Sequence, residues 1–229
     1  MKGFSKFKFD ANELANESTA LIDLLKIGEG ISLKENEHLS PALKAAPNHV
    51  SIIASSFCGV NKPDLIASEY WILDKLRCDF AVCDSRRRKF CFIEIEDANP
   101  RSIFVERKPD QYNGLMGRSP YYDWSERFEH GASQIIDWIR VLHDAEKTDD
   151  FRAHFGPANR FEAEFILVIG RDEYLDSAQK ERLTWRTKNL KAGDYKIRCI
   201  TFDQVVEEGK YELETYTVAA NVAASTHNQ

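Results

Sequence analysis

Two apolar runs, Leu76-Arg77-Cys78-Asp79-Phe80-Ala81-Val82-Cys83 and Phe90-Cys91-Phe92-Ile93-Glu94-Ile95, flank the charged stretch Asp84-Ser85-Arg86-Arg87-Arg88-Lys89. Strand-forming residues on both sides of a polar turn predict an antiparallel hairpin. This pairing constrains the fold more than any other segment, because it plants carboxylates in the most apolar part of the chain. Side chains alternate along a strand, so Glu94 shares a face with Glu96, and Asp79 shares one with Arg77. If those faces coincide, three carboxylates converge. Like charges so placed repel unless a cation or a proton lies between them, and a divalent metal is the usual answer. Acidic strand residues more often mark the solvent face of a sheet. Here Phe80, Val82, Phe92, Ile93 and Ile95 surround them, and carboxylates buried without partners are costly.

The rest of the chain reads as alternating elements around that hairpin. Asn12 to Lys26 carries a helical stripe ending at Gly28 and Gly30, and a second helical stretch, Glu37 to Ala46, stops at Pro47. Val50 to Ala54 is a short apolar run. Ile66 to Leu73 is a strand that joins the hairpin through Asp74-Lys75, giving a three-stranded meander. Asp97 to Asp123, with three prolines and Gly114, reads as a long loop, and loops of that length tend to be functional. Glu126 to Asp144 is the clearest helix, with Asp123 or Ser125 available as its cap. Strands at Phe161 to Ile169 and Tyr195 to Thr201, with a helix at Ser177 to Leu190 between them, make a βαβ unit with parallel pairing. The expected organisation is an N-terminal helical segment over 1–32, one domain over 33–212 and a polar tail over 213–229, frayed from Ala223. Its fold class is α/β, a sandwich around one mixed sheet, an antiparallel meander plus a parallel strand, flanked by helices.

Composition narrows the function classes. Hydrophobic residues make up 43% and charged residues 30%, and no apolar run is long enough for a membrane span. Met1 to Phe9 is basic but has no apolar core of signal-peptide length, so a cytoplasmic location is expected. The five cysteines look like core thiols; no Cys-x-x-Cys pair occurs and the six histidines show no ligand spacing, which speaks against a structural zinc. A net charge of −6 argues against unspecific coating of nucleic acid and leaves room for a local basic site.

Asp79 followed by Glu94-Ile95-Glu96 on the next strand, with a helix upstream and a glutamine-bearing helix downstream, resembles the PD-(D/E)xK nuclease core. More narrowly, it resembles the carboxy-terminal nuclease domain of the Shedu anti-phage defence family. The matching stretches are Asn36-Glu37-His38-Leu39 through Leu43 to Pro47, Ser68-Glu69-Tyr70, Arg77-Cys78-Asp79-Phe80, Phe92-Ile93-Glu94-Ile95-Glu96, Ala132-Ser133-Gln134-Ile135 with Trp138, and Ile169-Gly170-Arg171, within about residues 33 to 208. Each motif is weak singly; their order and spacing are fairly specific.

The resemblance implies a restriction-endonuclease-like fold, a DNA partner, a homo-oligomer, and Mg²⁺, or Mn²⁺, as cofactor. It implies Asp79 and Glu94 as ligands with the carbonyl of Ile95, Glu37 at a neighbouring or second-metal position, and Gln134 orienting the water or a ligand, beside Trp138. The family motif ends in lysine where this chain has Glu96. Glu96 then acts as general base or added ligand, or the site binds without cutting. Lys89 or Lys108 is a candidate replacement cation. Candidate phosphate contacts are Arg86, Arg87, Arg88 and Lys89 at the hairpin tip, and Arg101, Arg107, Lys108 and Arg118 in the long loop, interleaved with Tyr112, Tyr121, Tyr122 and Trp124. His130 is four residues before Gln134 and reads by default as a surface or capping histidine. The helix over Leu14 to Leu25 is either an oligomer interface or a cap on the core. Two functions stand side by side: a metal-dependent DNA endonuclease in anti-phage defence, and a nuclease-fold module that binds nucleic acid or a partner protein without cutting.

Overall fold

The computed structural model describes residues 1–27, 32–106 and 122–226. The elements in chain order are β1 (Ser5–Lys6), α1 (Ala11–Ile27), a π-helical turn (Glu35–Leu39) running into α2 (Ser40–Lys44), α3 (Pro47–Ile52) extended by a second π-helical turn (Ile53–Phe57), β2 (Leu65–Ile72), β3 (Leu76–Asp84), β4 (Lys89–Ile95), β5 (Phe104–Glu106), β6 (Tyr122–Trp124), α4 (Glu126–Ala145), α5 (Asp149–Phe155), β7 (Glu162–Val168), α6 (Ser177–Asn189), β8 (Lys191–Ala192), β9 (Tyr195–Ile200) and α7 (Phe202–Thr226). The main sheet has the order β1-β2-β3-β4-β7-β9-β8. The meander β2-β3-β4 is antiparallel, whereas β7 pairs parallel with both β4 and β9. The α/β class and the mixed sheet follow the sequence expectation.

The central strands are buried on both faces, which explains their continuous apolar sequence. Phe80, Val82, Ile93 and Ile95 pack under α1, α3 and α7; Ala81, Cys83, Phe90 and Phe92 pack under α4 and α5. Ser125 caps α4 by accepting from the Phe128 N–H, as expected, and its own hydroxyl donates to the Ser102 carbonyl. Gly131 is where α4 crosses the sheet, because an added Cβ would stand 2.6 Å from Leu167 Cδ1 and 3.1 Å from Glu96 Cγ. All five cysteines are buried and unpaired.

The short apolar run Val50 to Ala54 is helical, with Val50, Ile53 and Ala54 fully buried, so its apolarity reflects a core helix. Other sequence expectations are corrected or narrowed. The polar tail expected from 213 is instead helix up to Thr226, because Ala-rich sequence continues a helix already nucleated at Phe202. The N-terminal helix caps the core: Leu14, Leu21 and Leu25 are buried, and α1 packs on α3 and α7. The expected loop after Asp97 carries a two-stranded ribbon, β5 with β6. Among the described residues, no helix is long and apolar enough to cross a membrane.

Candidate metal and nucleic-acid site

The β3–β4 register, Ala81↔Phe92 and then Phe80↔Ile93, continues to place Asp79 opposite Glu94. The ladder hydrogen bonds stop there, and the Asp79 carboxylate instead accepts from the Ile95 N–H at 2.7 Å. Glu94 therefore lies at the end of the sheet where the parallel strands β4 and β7 finish, a place where α/β sheets commonly bind ligands. A cavity of about 400 Å³ opens over this point, lined by Glu35, Asp79, Glu94 and, from α4, Gln134 and Trp138. Trp71 and Arg77, cross-strand partners on β2 and β3, form its lip, and Trp71 is 53% exposed.

Electrostatics single out these acids. Burial, reinforced by the charges of Asp79, Glu96 and Glu35, pushes Glu94 up to about 10. Burial raises Asp79 to about 6 despite the Ile95 amide and Arg77, and burial with the charge of Asp79 raises Glu35 to about 7. The cluster thus gathers more carboxyls than the protein keeps ionised without a cation. The side-chain oxygen of Gln134, Oε1, is buried and has no hydrogen-bond partner among the described residues.

Glu35 is the residue that the sequence reading missed. It begins the π-helical turn, and its N–H is held by the Asp97 carboxylate at 2.8 Å, which turns the side chain into the cavity. Glu37, the expected helix contribution, is exposed and bonds Lys34 at 2.7 Å, which lowers its pKa; two residues along this turn point away from the site. On this Asn-Glu-His turn the acid that faces the cavity is Glu35, and Glu37 faces Lys34.

Glu96 is 1% exposed and both its oxygens are engaged, one by His130 Nδ1 at 2.9 Å and the other by Arg127 at 3.4 Å. Burial raises its pKa while these α4 partners pull it back. His130 lies at the surface as expected and also bonds this carboxylate, and Arg127 spans Glu96 and Asp97.

The hairpin-tip cations sit elsewhere. Asp84↔Lys89 closes the hairpin, and five residues of strand put the tip roughly 17 Å from Asp79. Arg87 faces Asp84, Arg88 donates to the Phe155 carbonyl at 2.6 Å, and Arg86 joins Arg87 along a separate surface hollow. Lys89 begins β4 at that same far end. Antiparallel geometry decides this, since the carboxylates lie at the open end of the hairpin. Arg101 is exposed on the turn before β5; Arg107, Lys108, Tyr112, Arg118 and Tyr121 lie outside the described residues. Trp124 packs on Phe104 and Phe128 beneath Arg186, so it anchors the ribbon to the core.

The donors suit a hard divalent cation: among the described residues the cavity wall offers carboxylates and an unpartnered amide oxygen, with no sulfur or imidazole. Among the described residues, no three His, Cys, Asp or Glu side chains close around one point as an all-protein cage would. Magnesium ordinarily takes one or two carboxylates and keeps several waters, so this sparser set fits it.

The model of the family described as Shedu protein SduA, C-terminal, matches residues 32–206. The chain belongs to this Shedu family. Membership implies a part in anti-phage defence. No curated protein matched the chain. The matched span of the Shedu domain runs from the residue before Leu33 to Val206 on α7, so it holds every cavity-lining residue named above.

Proposed function

We propose that this Shedu domain is a divalent-metal-dependent endonuclease that hydrolyses phosphodiester bonds in DNA during anti-phage defence. The observation that carries the reading is the convergence of Glu35, Asp79 and Glu94 on one cavity beside the unpartnered amide oxygen of Gln134. Asp79 and Glu94 supply the anionic oxygens for Mg²⁺ or Mn²⁺, with the Ile95 carbonyl as the backbone donor implied by the family. Such an ion, when bound, lowers the pKa of its water and takes up charge developing on the phosphate. Gln134 orients the attacking water through its free amide oxygen. Arg77 faces an incoming phosphate at the lip, and Trp71 offers a flat apolar surface to the adjoining base. Glu96 acts at one remove: it fixes Arg127 and His130 on the first turns of α4, and through Arg127 it steadies Asp97 and the Glu35 turn.

Asp79→Ala or Glu94→Ala abolishes metal-dependent cleavage of linear and circular DNA while circular dichroism is unchanged. Undiminished cleavage by the double variant would falsify the proposal. The engaged state of Glu96, where the family motif has lysine, favours a second reading, a domain that holds DNA or a partner protein without cutting. Retained DNA binding with no Mg²⁺ or Mn²⁺ binding at millimolar concentration selects that reading.

A further inference from the structure

A second cavity, of about 490 Å³, lies at the opposite edge of the sheet, where α6 covers the outer side of β9. Two strands, β4 and β7, separate β9 from β3 and its Asp79. Among the described residues, it shares no lining residue with the carboxylate cavity.

Its wall combines four kinds of group. Lys180 and Lys188 reach it from α6, and Arg198 from β9. Among the described residues none of these three makes an ion pair, whereas the neighbouring α6 arginines are engaged: Arg182 donates to the Tyr122 carbonyl and Arg186 pairs with Glu129. Arg198 Nε is buried and meets no acceptor among the described residues. A buried donor left without a partner costs free energy that an incoming acceptor restores. Thr184 and Thr187 add hydroxyls. The floor is apolar, made by Phe57, Leu183 and Ile200. One carboxylate, Asp172, stands against the three cations; its burial raises its pKa although it accepts from Thr201.

Each part matches one part of a nucleotide. Cations with an unused guanidinium N–H suit a phosphate, which presents strong acceptor oxygens and close to two negative charges. The apolar floor suits a base, and a lone carboxylate within such a site suits ribose hydroxyls, as it does in dinucleotide-binding folds. The volume lies within the roughly 300–1,000 Å³ of small-ligand sites. Inorganic phosphate would leave the apolar floor and Asp172 unmatched. A DNA strand needs a basic track that continues beyond one nucleotide, and here acidic Asp172 interrupts it. We propose that the α6–β9 cavity binds a free nucleoside phosphate.

The test is calorimetric titration of the full chain with AMP, ADP, adenosine, inorganic phosphate and a short single-stranded oligonucleotide, in EDTA to keep the carboxylate site metal-free. AMP or ADP binds more tightly than adenosine or phosphate alone. Lys180→Ala with Lys188→Ala weakens it by about a hundredfold, since each lost charged hydrogen bond accounts for about tenfold. Both lysines are exposed, so the double variant keeps its fold; Arg198→Gln is the second probe, and Glu94→Gln leaves nucleotide affinity unchanged. The proposal is overturned if no nucleotide binds at millimolar concentration, if binding survives the double lysine variant unaltered, or if only the oligonucleotide binds.

Discussion

Glu94→Gln keeps the shape of the side chain and removes its ionisation, so it isolates what the buried charge does to stability. In the native protein Glu94 is raised from 4.5 to about 10. A carboxyl raised on folding favours the native state below the unfolded pKa, and that advantage is lost as pH rises through the folded pKa. Between pH 4.5 and neutrality the unfolded chain releases the proton while the native protein keeps it. Each pH unit in that interval costs about 1.4 kcal/mol, so by pH 7 the native state has lost about 3 kcal/mol. Asp79 and Glu35, at about 6 and about 7, titrate with Glu94, so this loss belongs to the cluster.

The glutamine variant escapes that loss because neither of its states ionises there. It is therefore expected to match wild type near pH 4.5 and to exceed it by about 3 kcal/mol at pH 7, roughly 6–12 °C in melting temperature for a chain of this size. The assay is a series of thermal melts in EDTA across that range, followed by urea titrations at the two ends. Mg²⁺ should recover part of the difference in wild type alone, since it binds the ionised native cluster. Superimposable wild-type and variant melts at every pH would refute the reasoning, as would a stability difference that does not grow with pH.

Other expectations separate neighbouring residues. Glu35→Gln weakens divalent-cation binding by titration calorimetry and raises stability in EDTA by an amount that grows from pH 4.5 and levels off above about pH 7, whereas Glu37→Gln changes neither; equal effects of the two would restore Glu37 to the site. Glu96→Lys buries a cation against Arg127 and takes away the acceptor of both Arg127 and His130, and costs roughly 3 kcal/mol in urea denaturation, without increasing cleavage. A rise in cleavage with that variant would show that Glu96 marks a decayed site. Gly170→Ala costs about 2 kcal/mol, because Gly170 has φ +68° and an added Cβ would stand 2.7 Å from Ile103; an unchanged urea midpoint counts against the strain.

How much of this was legible depended on range. The hairpin, the capped helix α4 and the parallel closing unit are set by local periodicity and turn chemistry, and all were readable. Asp79 and Glu94 were readable as opposed carboxylates because a hairpin with a defined turn fixes its own register. Glu35 was not, since which acid of Glu35-Asn36-Glu37 turns inward depends on a π-helical turn and on a hydrogen bond from the Glu35 N–H to Asp97, 62 positions away. Long-range capping of that sort has no local signal. The hairpin-tip arginines lie away from the carboxylates for the opposite reason: the register itself places them at the far end of the hairpin. The helical extension to Thr226 was hidden because composition suggested a tail while helix propagation requires only a started helix.

Glu96 is best understood through the ends of its carboxylate. A motif lysine would put positive charge in the cavity; here the fixed positive charge is Arg127 on α4, and Glu96 binds it and the neighbouring His130 ring. Both partners are more than half exposed, so they can exchange between Glu96 and a solvent-borne phosphate, which a buried lysine cannot do. Glu96→Gln tests this directly. It removes the counter-charge without adding one, so it loosens Arg127 and His130 and lowers cleavage with less loss of stability than Glu96→Lys. If the glutamine variant cleaves as wild type does, positioning by Glu96 is wrong and its burial is structural only.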